Sequence, residues 1–269
     1  MTPRVALSVA GTDSGGGAGL AADLTTFAAL GVHGALVVTA VTAQDTLGVH
    51  AIQPLAAELV LAQLRAVRGD TAVAGAKTGM LGSAEVVRAV AAELHGTTLV
   101  VDPVLVATSG AVLGDESVLA AYLSDLVPAA TVITPNRHEA ARLLGVPRLE
   151  PGEVAEAAAA LHALGPAVVV TGGSPDGRDC IDVFADATGV QHLRHPSIPT
   201  TNDHGTGCTF SAALTALLAG GAPLVPAVLG AQAFVARALR TSRGWRVGRG
   251  RGPVAHTFPH APSTSQEDS

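Results

Sequence analysis

The sequence is poor in lysine, in aromatic residues and in charge. Lys77 is its only lysine beside 15 arginines, aromatic residues make up 3% and charged residues 14% of the 269 residues. Its two cysteines, Cys180 and Cys208, provide no disulfide framework, and a net charge of −6 argues against nucleic acid as a general partner. There is no charged-then-apolar leader and no uninterrupted apolar run of about 18 residues. We therefore expect a cytoplasmic protein without nucleic-acid or membrane partners.

What the sequence does have is alternation of short apolar runs with helical patterns. Leu99-Val100-Val101 is apolar on consecutive residues, as is typical of strands covered on both faces. The alternation predicts an α/β fold, with a central, largely parallel sheet and helices on both faces. Residues 180–185 and 190–195, separated by a short turn, are predicted to form a hairpin. The other predicted strands are Val5–Ala10 and residues 35–41, 72–76, 98–102, 131–134 and 167–171.

No composition break or internal repeat divides the chain, so we expect a single domain over residues 1–258. Residues 259–269, rich in serine, proline and acids, are predicted to form a disordered tail. The segment 243–252 is rich in arginine and glycine, which leaves a nucleic-acid tract open as an alternative there. Helices are predicted to follow Pro54, Ser83, Gly114, Asn136, Pro151, Gly205 and Pro223.

The most informative motif is the turn that ends in Gly205-Thr206-Gly207-Cys208 and runs directly into an apolar helix. The first amides of such a helix have no helical acceptor and carry partial positive charge, which suits a phosphate or a developing anion. Cys208 lies at this helix end, where we expect its pKa to be lowered. The alternative is an ordinary helix start with a buried cysteine.

A second glycine-rich turn, Gly11 to Gly19, follows the first predicted strand and precedes another helix. It is not a Walker A loop, because Gly17-Ala18 stands where Lys-Ser/Thr is required. It is not a dinucleotide fingerprint either, because Leu20 replaces the third glycine. Asp23 lies near the start of the helix, where its carboxylate either complements the helix dipole or faces a ligand.

Polar and glycine residues follow most of the predicted strands. Because the carboxyl ends of parallel strands lie at one edge of a sheet, we expect these residues to form a single site. They are Gly11, Gln44, Lys77 to Met80, Asp102, Asn136 and Thr171 to Gly173.

Six ordered motifs carry a family resemblance over about residues 4–258. They are the first glycine-rich turn with Asp23, Val41-Thr42-Ala43-Gln44, Lys77-Thr78-Gly79-Met80-Leu81, Asp102-Pro103-Val104, Thr134-Pro135-Asn136 with Glu139, and His204-Gly205-Thr206-Gly207-Cys208. Together they resemble the hydroxymethylpyrimidine/phosphomethylpyrimidine kinases of thiamine biosynthesis, in the ribokinase-like superfamily. The resemblance implies ATP- and Mg²⁺-dependent phosphorylation of 4-amino-5-hydroxymethyl-2-methylpyrimidine and its monophosphate, by a homodimer.

The resemblance also implies roles for individual residues. Gly205, Thr206 and Gly207 would form the anion hole for the transferred phosphoryl group, with Cys208 as a catalytic thiol. A carboxylate and an amide, Asp23 and Gln44, suit an aminopyrimidine edge. The substrate pocket would comprise Gly11, Asp23, Gln44, Met80 and Val104; the nucleotide site Asn136, Thr171 and Gly173; and the metal site Asp102 and Glu139.

The chain departs from the family pattern near the expected phosphates. Thr108, Thr171 and Thr201 stand where lysine is common, and Asp203 replaces a common threonine. Fewer positive charges should weaken ATP binding or transfer, unless Arg137 or Lys77 compensates. Three alternatives therefore stay open: a pyridoxal-type kinase, a pyrimidine-binding regulatory protein with weakened transfer, and a dinucleotide-dependent oxidoreductase.

Overall fold

The computed structural model describes residues 2–105, 114–172 and 179–257. Its strands are β1 (Val5–Ala10), β2 (His33–Val38), β3 (Ala40–Asp45), β4 (Gly48–Pro54), β5 (Val73–Thr78), β6 (Leu99–Val101), β7 (Val132–Ile133), β8 (Ala167–Val170), β9 (Asp179–Asp186) and β10 (Gly189–Pro196). Its α-helices are α1 (Gly19–Ala29), α2 (Ala57–Asp70), α3 (Ala84–Leu94), α4 (Glu116–Ala121), α5 (Val127–Ala129), α6 (Arg137–Leu143), α7 (Val154–His162), α8 (Thr206–Ala219) and α9 (Leu224–Ser242). A π-helical turn, Tyr122–Leu126, joins α4 to α5, and a 3-10 turn, Pro151–Glu153, precedes α7.

Eight of these strands form one sheet in the order β10-β9-β8-β7-β6-β5-β1-β2. Within this sheet the pairings are parallel among β2, β1, β5, β6, β7 and β8. Strand β9 runs antiparallel to both β8 and β10. The predicted largely parallel sheet and the β9–β10 hairpin are confirmed. Parallel strands place the ends of β1, β5, β6, β7 and β8 at one edge, where a ligand site is expected.

Helices cover both faces of the sheet because successive strand residues point to opposite sides. Leu99 and Val101 pack with α2, α3 and the helices up to α7, whereas Val100, Val132 and Val169 pack against α8 and α9. The consecutive apolar residues of these short strands therefore fill two cores, as the sequence indicated. The helices predicted after Ser83, Asn136 and Gly205 each begin at the next residue.

The strand predicted at residues 35–41 exists, but its bounds are wrong, because β2 ends at Val38 and Ala40 begins β3. The chain leaves the large sheet after β2, and β3 pairs with β4 in a separate two-stranded antiparallel ribbon. The turn at Thr39 is fixed by hydrogen bonds, since its amide donates to the carbonyl of Ala10 and its hydroxyl to that of Met80. Strand β4 was not predicted because most of it is exposed and carries no alternating apolar pattern.

None of the helices in the described ranges is both long and apolar enough to cross a membrane. The predicted tail at residues 259–269 lies outside the described residues, as do Thr108 and Gly173. The single domain over residues 1–258 stays a prediction.

Candidate active site

A cleft of about 810 Å³ lies at the carboxyl edge of the parallel strands. The loops after β1, β5, β6, β7 and β8 form its floor, the β3–β4 ribbon one side, and the start of α8 another. The structure therefore brings together nearly all of the residues assigned from the sequence. Those lining the cleft are Gly11, Gln44, Met80, Asp102, Val104, Asn136, Glu139, Thr171, Gly205, Thr206, Gly207 and Cys208.

The two glycine-rich turns pack directly against each other at the cleft. Gly205 has a φ of +83°, and a Cβ at this position would overlap the carbonyl oxygen of Gly17. A Cβ on Gly17 would in turn press on the His204 ring. Only glycine permits both this left-handed conformation and the close approach. The first turn thereby fixes the position of the α8 N-terminus.

Asp13 joins the two turns, although sequence analysis gave it no role. Its carboxylate accepts the amides of Gly15 at 2.8 Å, Gly17 at 3.1 Å and Ala18 at 2.9 Å, and lies 2.8 Å from Nε2 of His204. Burial alone would raise the pKa of Asp13, but the hydrogen bonds from His204 and the backbone lower it. Asp13 is therefore ionised, and its hydrogen bonds join the two turns.

The β3–β4 ribbon supplies Gln44 to the same part of the cleft. Its Nε2 lies 3.4 Å from Nε2 of His204, the imidazole that pairs with Asp13. Across the cleft, Met80 packs so close to Gly11 that a Cβ there would strike its terminal methyl group. The amide of Gln44 and the apolar surface of Met80 thus face one compartment, which suits a flat heteroaromatic ring with polar substituents.

The N-terminus of α8 offers backbone donors to the cleft, though not all of those predicted. The Thr206 amide already donates to the carbonyl of Asp203 at 3.2 Å, so its assignment to the anion hole is corrected. Within the described part of the chain, no backbone or side-chain acceptor takes the amides of Gly207 and Cys208. These two donors lie at the start of a helix of 14 residues, an end whose partial positive charge suits an anion.

Cys208 differs from the sequence-based expectation in its ionisation. Burial raises the pKa of its thiol to about 12 against the opposing influence of Lys77, and the carboxylates of Asp102 and Asp23 act in the same direction as burial. The thiol also hydrogen-bonds to Asp102. The predicted lowering of the pKa is therefore wrong, because the desolvation of the whole site exceeds the effect of the helix end. Cys208 is a neutral thiol near pH 7.

Asp23 does not line the cleft, which corrects its assignment to the substrate pocket. Its side chain is 0% exposed and pairs with Nζ of Lys77 at 2.7 and 2.9 Å, and it accepts the hydroxyl of Ser8. Lys77 is equally buried and lies 3.8 Å from Asp102. Burial alone would lower the pKa of Lys77, but the charge of Asp23 raises it. The chain's single lysine is a buried cation held beneath the site.

Two buried carboxylates, Asp102 and Glu139, face the cleft. Asp102 accepts the hydroxyl of Ser211 at 3.0 Å, and burial raises its pKa. Glu139 has a pKa of about 8, raised first by burial and then by the charge of Asp102. Its Oε2 accepts the amide of Asn136 at 2.9 Å in a capping box. Glu139 thus both caps α6 and presents a carboxyl group to the cleft.

Asn136 and Thr171 mark the far end of the cleft. They form a parallel bridge, and the Thr171 amide donates to Pro135 at 2.9 Å. The Asn136 side-chain oxygen accepts the amides of His138 and Glu139, and its side chain also hydrogen-bonds to the carboxylate of Glu139. The two residues that the sequence assigned to the nucleotide site are therefore neighbours in the structure.

The charge balance at the cleft also differs from expectation. Of the described basic residues, Lys77, Arg142 and Arg251 line the cleft, whereas Arg137 does not. Arg251 forms a two-pronged ion pair with Asp203, with its Nε 2.8 Å from Oδ1. The negative charge of Asp203 is therefore partnered by an arginine of the 243–252 segment, which gives that segment a place at the cleft.

A free helix N-terminus and two buried carboxylates in one cleft, at the carboxyl edge of a parallel α/β sheet, are typical of a phosphotransferase. The fold and the site together define a kinase of a small molecule. The family model described as phosphomethylpyrimidine kinase matches residues 13–255. The chain belongs to this family.

Individual relatives agree with this assignment. The hydroxymethylpyrimidine/phosphomethylpyrimidine kinase of Rhizobium meliloti is 47% identical over 258 residues, which cover 94% of this chain and 96% of that protein. A thiamine biosynthetic bifunctional enzyme of Arabidopsis thaliana is 45% identical, covering 95% of this chain and 50% of its own length. Among solved structures, an ADP complex of Bacillus subtilis pyridoxal kinase has a TM-score of 0.88 at 35% identity, covering 95% of this chain and 98% of that one. The oxidoreductase alternative is wrong.

Proposed function

We propose that the protein transfers the γ-phosphoryl group of ATP to the hydroxyl of 4-amino-5-hydroxymethyl-2-methylpyrimidine, and then to the phosphate of the resulting monophosphate. The observation that carries this proposal is the pair of free amides at Gly207 and Cys208, which share one cleft with the buried carboxylates of Asp102 and Glu139. The name of the Rhizobium meliloti relative supports the choice of acceptor.

The acceptor would lie between Gln44 and Met80. The Gln44 amide offers both a donor and an acceptor, which fits the amino group and ring nitrogen of an aminopyrimidine. Nε2 of the neighbouring His204 donates to the ionised Asp13 and so cannot accept from Gln44, which leaves the Gln44 amide for the ring. Gly11 and Val104 complete this compartment. Asp23 would act from beneath, by holding Lys77, and not by touching the ring.

The nucleotide would occupy the end marked by Asn136 and Thr171, where Gly173 was also predicted. The phosphates would extend from there toward the α8 N-terminus, past Arg142 on one side and Arg251 on the other. Arg142 supplies positive charge that the threonines at positions 108, 171 and 201 do not, whereas the charge of Arg251 is paired with Asp203. Lys77 lies below, at 3.8 Å from Asp102.

The residues at the cleft fit a magnesium ion. Asp102 and Glu139 are both buried, and the charge of Asp102 raises the pKa of Glu139, so a cation between them would relieve an existing repulsion. Magnesium is typically held by one or two carboxylates together with water and substrate phosphates. When bound, the ion would neutralise charge on the β- and γ-phosphates of ATP.

In the transfer step, the acceptor oxygen forms a bond to the γ-phosphorus while the bond from that phosphorus to the β,γ-bridging oxygen breaks. ADP leaves with that oxygen, and the acceptor hydroxyl gives up its proton to water. The amides of Gly207 and Cys208 would stabilise the charge on the phosphoryl oxygens. Because the Cys208 thiol is neutral, it would position Asp102 through their hydrogen bond and would not remove the proton.

A pyridoxal-type kinase is the second candidate, favoured by the TM-score of 0.88 with the Bacillus subtilis enzyme. A regulatory protein without transfer is opposed by the presence of both carboxylates and the free helix end. A homodimer and a cytoplasmic location stay predictions.

The test is ADP release with Mg²⁺ and one of three acceptors: the hydroxymethylpyrimidine, its monophosphate or pyridoxal. We expect the pyrimidines to have the higher kcat/KM. Gln44→Ala should raise the pyrimidine KM without changing the ATP KM, and Gln53→Ala, on the exposed strand β4, is the matched control. Higher kcat/KM for pyridoxal would favour the second candidate, and tight pyrimidine binding without turnover would favour the regulatory protein.

A further inference from the structure

A second group of reactive side chains lies on the β9–β10 hairpin. Cys180 and His195 are directly opposite each other in the antiparallel pairing, and Asp182 lies two residues from Cys180 on the same face. One potential ligand atom from each residue lies within 4.8 Å of the others. None of the three lines the catalytic cleft, so the proposed phosphoryl transfer leaves this cluster unexplained.

The chemistry of the three side chains is that of a transition-metal site. A thiolate, an imidazole and a carboxylate are the ligand types that bind zinc in proteins. His195 Nε2 and Asp182 Oδ2 are 3.3 Å apart, which is about the separation of two ligands around a tetrahedral zinc ion with bonds of about 2.0–2.1 Å. Cys180 forms no disulfide, so its sulfur is available.

Neighbouring residues hold Asp182 in place, whereas one ring nitrogen of His195 has no hydrogen-bond partner among the described residues. Asp182 is buried and accepts the amide of Gly172 at 2.9 Å through Oδ1 and the amide of Gln232 at 2.6 Å through Oδ2. The buried Nδ1 of His195 has no hydrogen-bond partner among the described residues. Since Nε2 is the nitrogen that faces Asp182, Nδ1 is the ring nitrogen that a metal-bound imidazole would offer to water.

We propose that Cys180, Asp182 and His195 form a zinc-binding site on the β9–β10 hairpin, separate from the catalytic cleft. Three protein ligands leave a fourth tetrahedral position for water. The His195 side chain is 28% exposed, which provides a path for the ion from solvent. Binding replaces the thiol proton and the hydrogen bond between His195 and Asp182 with bonds to the metal.

The position of the site gives it a structural consequence. Asp182 Oδ1 holds the amide of Gly172, and the preceding residue, Thr171, lines the cleft at its nucleotide end. A metal bound through Oδ2 would leave Oδ1 on Gly172 while it ties β9 to β10. Zinc should therefore raise the melting temperature of the chain, because an ion that binds only the folded state stabilises it.

The test uses the full chain, first treated with a chelator and then titrated with Co²⁺ as a spectroscopic probe for zinc. We expect a thiolate-to-cobalt charge-transfer band in the near ultraviolet that reaches its maximum at one equivalent and disappears on addition of Zn²⁺. The band should be lost in Cys180→Ser and strongly weakened in His195→Gln. His192→Gln, an exposed histidine on the same strand, is the matched control and should retain the band.

Two further measurements keep the result interpretable. Circular dichroism and ADP release should be unchanged in Cys180→Ser without metal, which shows that the variant is folded. Zinc should raise the melting temperature of the wild type and of His192→Gln, but not of Cys180→Ser. The absence of a charge-transfer band in the wild type, or its retention in Cys180→Ser, would overturn the proposal; neither result would bear on phosphoryl transfer in the cleft.

Discussion

Replacement of Asp23 by alanine should destabilise the whole fold. Asp23 and Lys77 are both 0% exposed and are joined at 2.7 and 2.9 Å. The substitution leaves the Lys77 ammonium group buried, with Asp102 at 3.8 Å as its remaining carboxylate partner. It also removes the acceptor of the Ser8 hydroxyl.

The size of this effect follows from the burial of the pair. Removal of one partner from a buried ion pair costs about 3–5 kcal/mol, because an uncompensated charge stays in the interior. For a domain of this size, each kcal/mol lowers the melting temperature by about 2–4 °C, which gives a total of roughly 6–20 °C. The remaining attraction of Asp102 places the expected value in the lower half of that range.

Thermal unfolding followed by circular dichroism measures the loss, and Asp70→Ala, at the exposed end of α2, serves as the control. The double variant Asp23→Leu/Lys77→Met should recover much of the stability, since an apolar pair of similar volume can replace a buried ion pair. If Asp23→Ala had the melting temperature of the wild type and only the KM of the pyrimidine rose, the stabilising role of the buried pair would be refuted. Direct contact of Asp23 with the substrate would then be the better interpretation.

Three other predictions follow from the ionisation of the site. Because burial raises the pKa of Cys208 to about 12, its alkylation by iodoacetamide in a Cys180→Ser background should keep accelerating above the ordinary thiol pKa of about 8.5; a plateau below that pH would contradict the neutral thiol. The pKa of Glu139 is raised from 4.5 to about 8, so without metal its contribution to stability is complete at low pH and is lost as the pH rises through about 8. Glu139→Gln should flatten this part of the melting-temperature profile, and equal slopes for the two proteins would be evidence against it. Arg251→Ala leaves Asp203 unpaired at the cleft and should raise the ATP KM; Asp203→Ala in the same chain should reverse part of the rise, and a lack of rescue would mean that Arg251 acts by other means.

The parts of the fold that the sequence predicted are those with a local signal. Strands such as β6 have consecutive apolar residues because both of their faces are buried, and that pattern is visible without a structure. Strand β4 has no buried face and therefore no pattern. The boundary between β2 and β3 was missed because hydrogen bonds from Thr39 to distant residues, and not a glycine or proline, turn the chain there.

The same distinction holds for the site. The glycine-rich turns and the strand-end residues were found because they follow recognisable elements. The pairing of Asp23 with Lys77 joins positions 54 residues apart, and that of Asp13 with His204 joins positions 191 residues apart. No local pattern indicates either partner. The pKa of Cys208 was predicted with the wrong sign because the helix end is a local feature, whereas desolvation depends on the assembled cleft.

The central claim is that this cleft transfers the γ-phosphoryl group of ATP to a hydroxymethylpyrimidine and to its monophosphate. The most direct measurement incubates the protein and Mg²⁺ with γ-labelled ATP and the pyrimidine monophosphate, and follows the label by ³¹P NMR and mass spectrometry. We expect a pyrimidine diphosphate that carries one labelled phosphoryl group for each ADP formed. Label found only in inorganic phosphate, or left in ATP while the pyrimidine is bound, would contradict transfer to the pyrimidine.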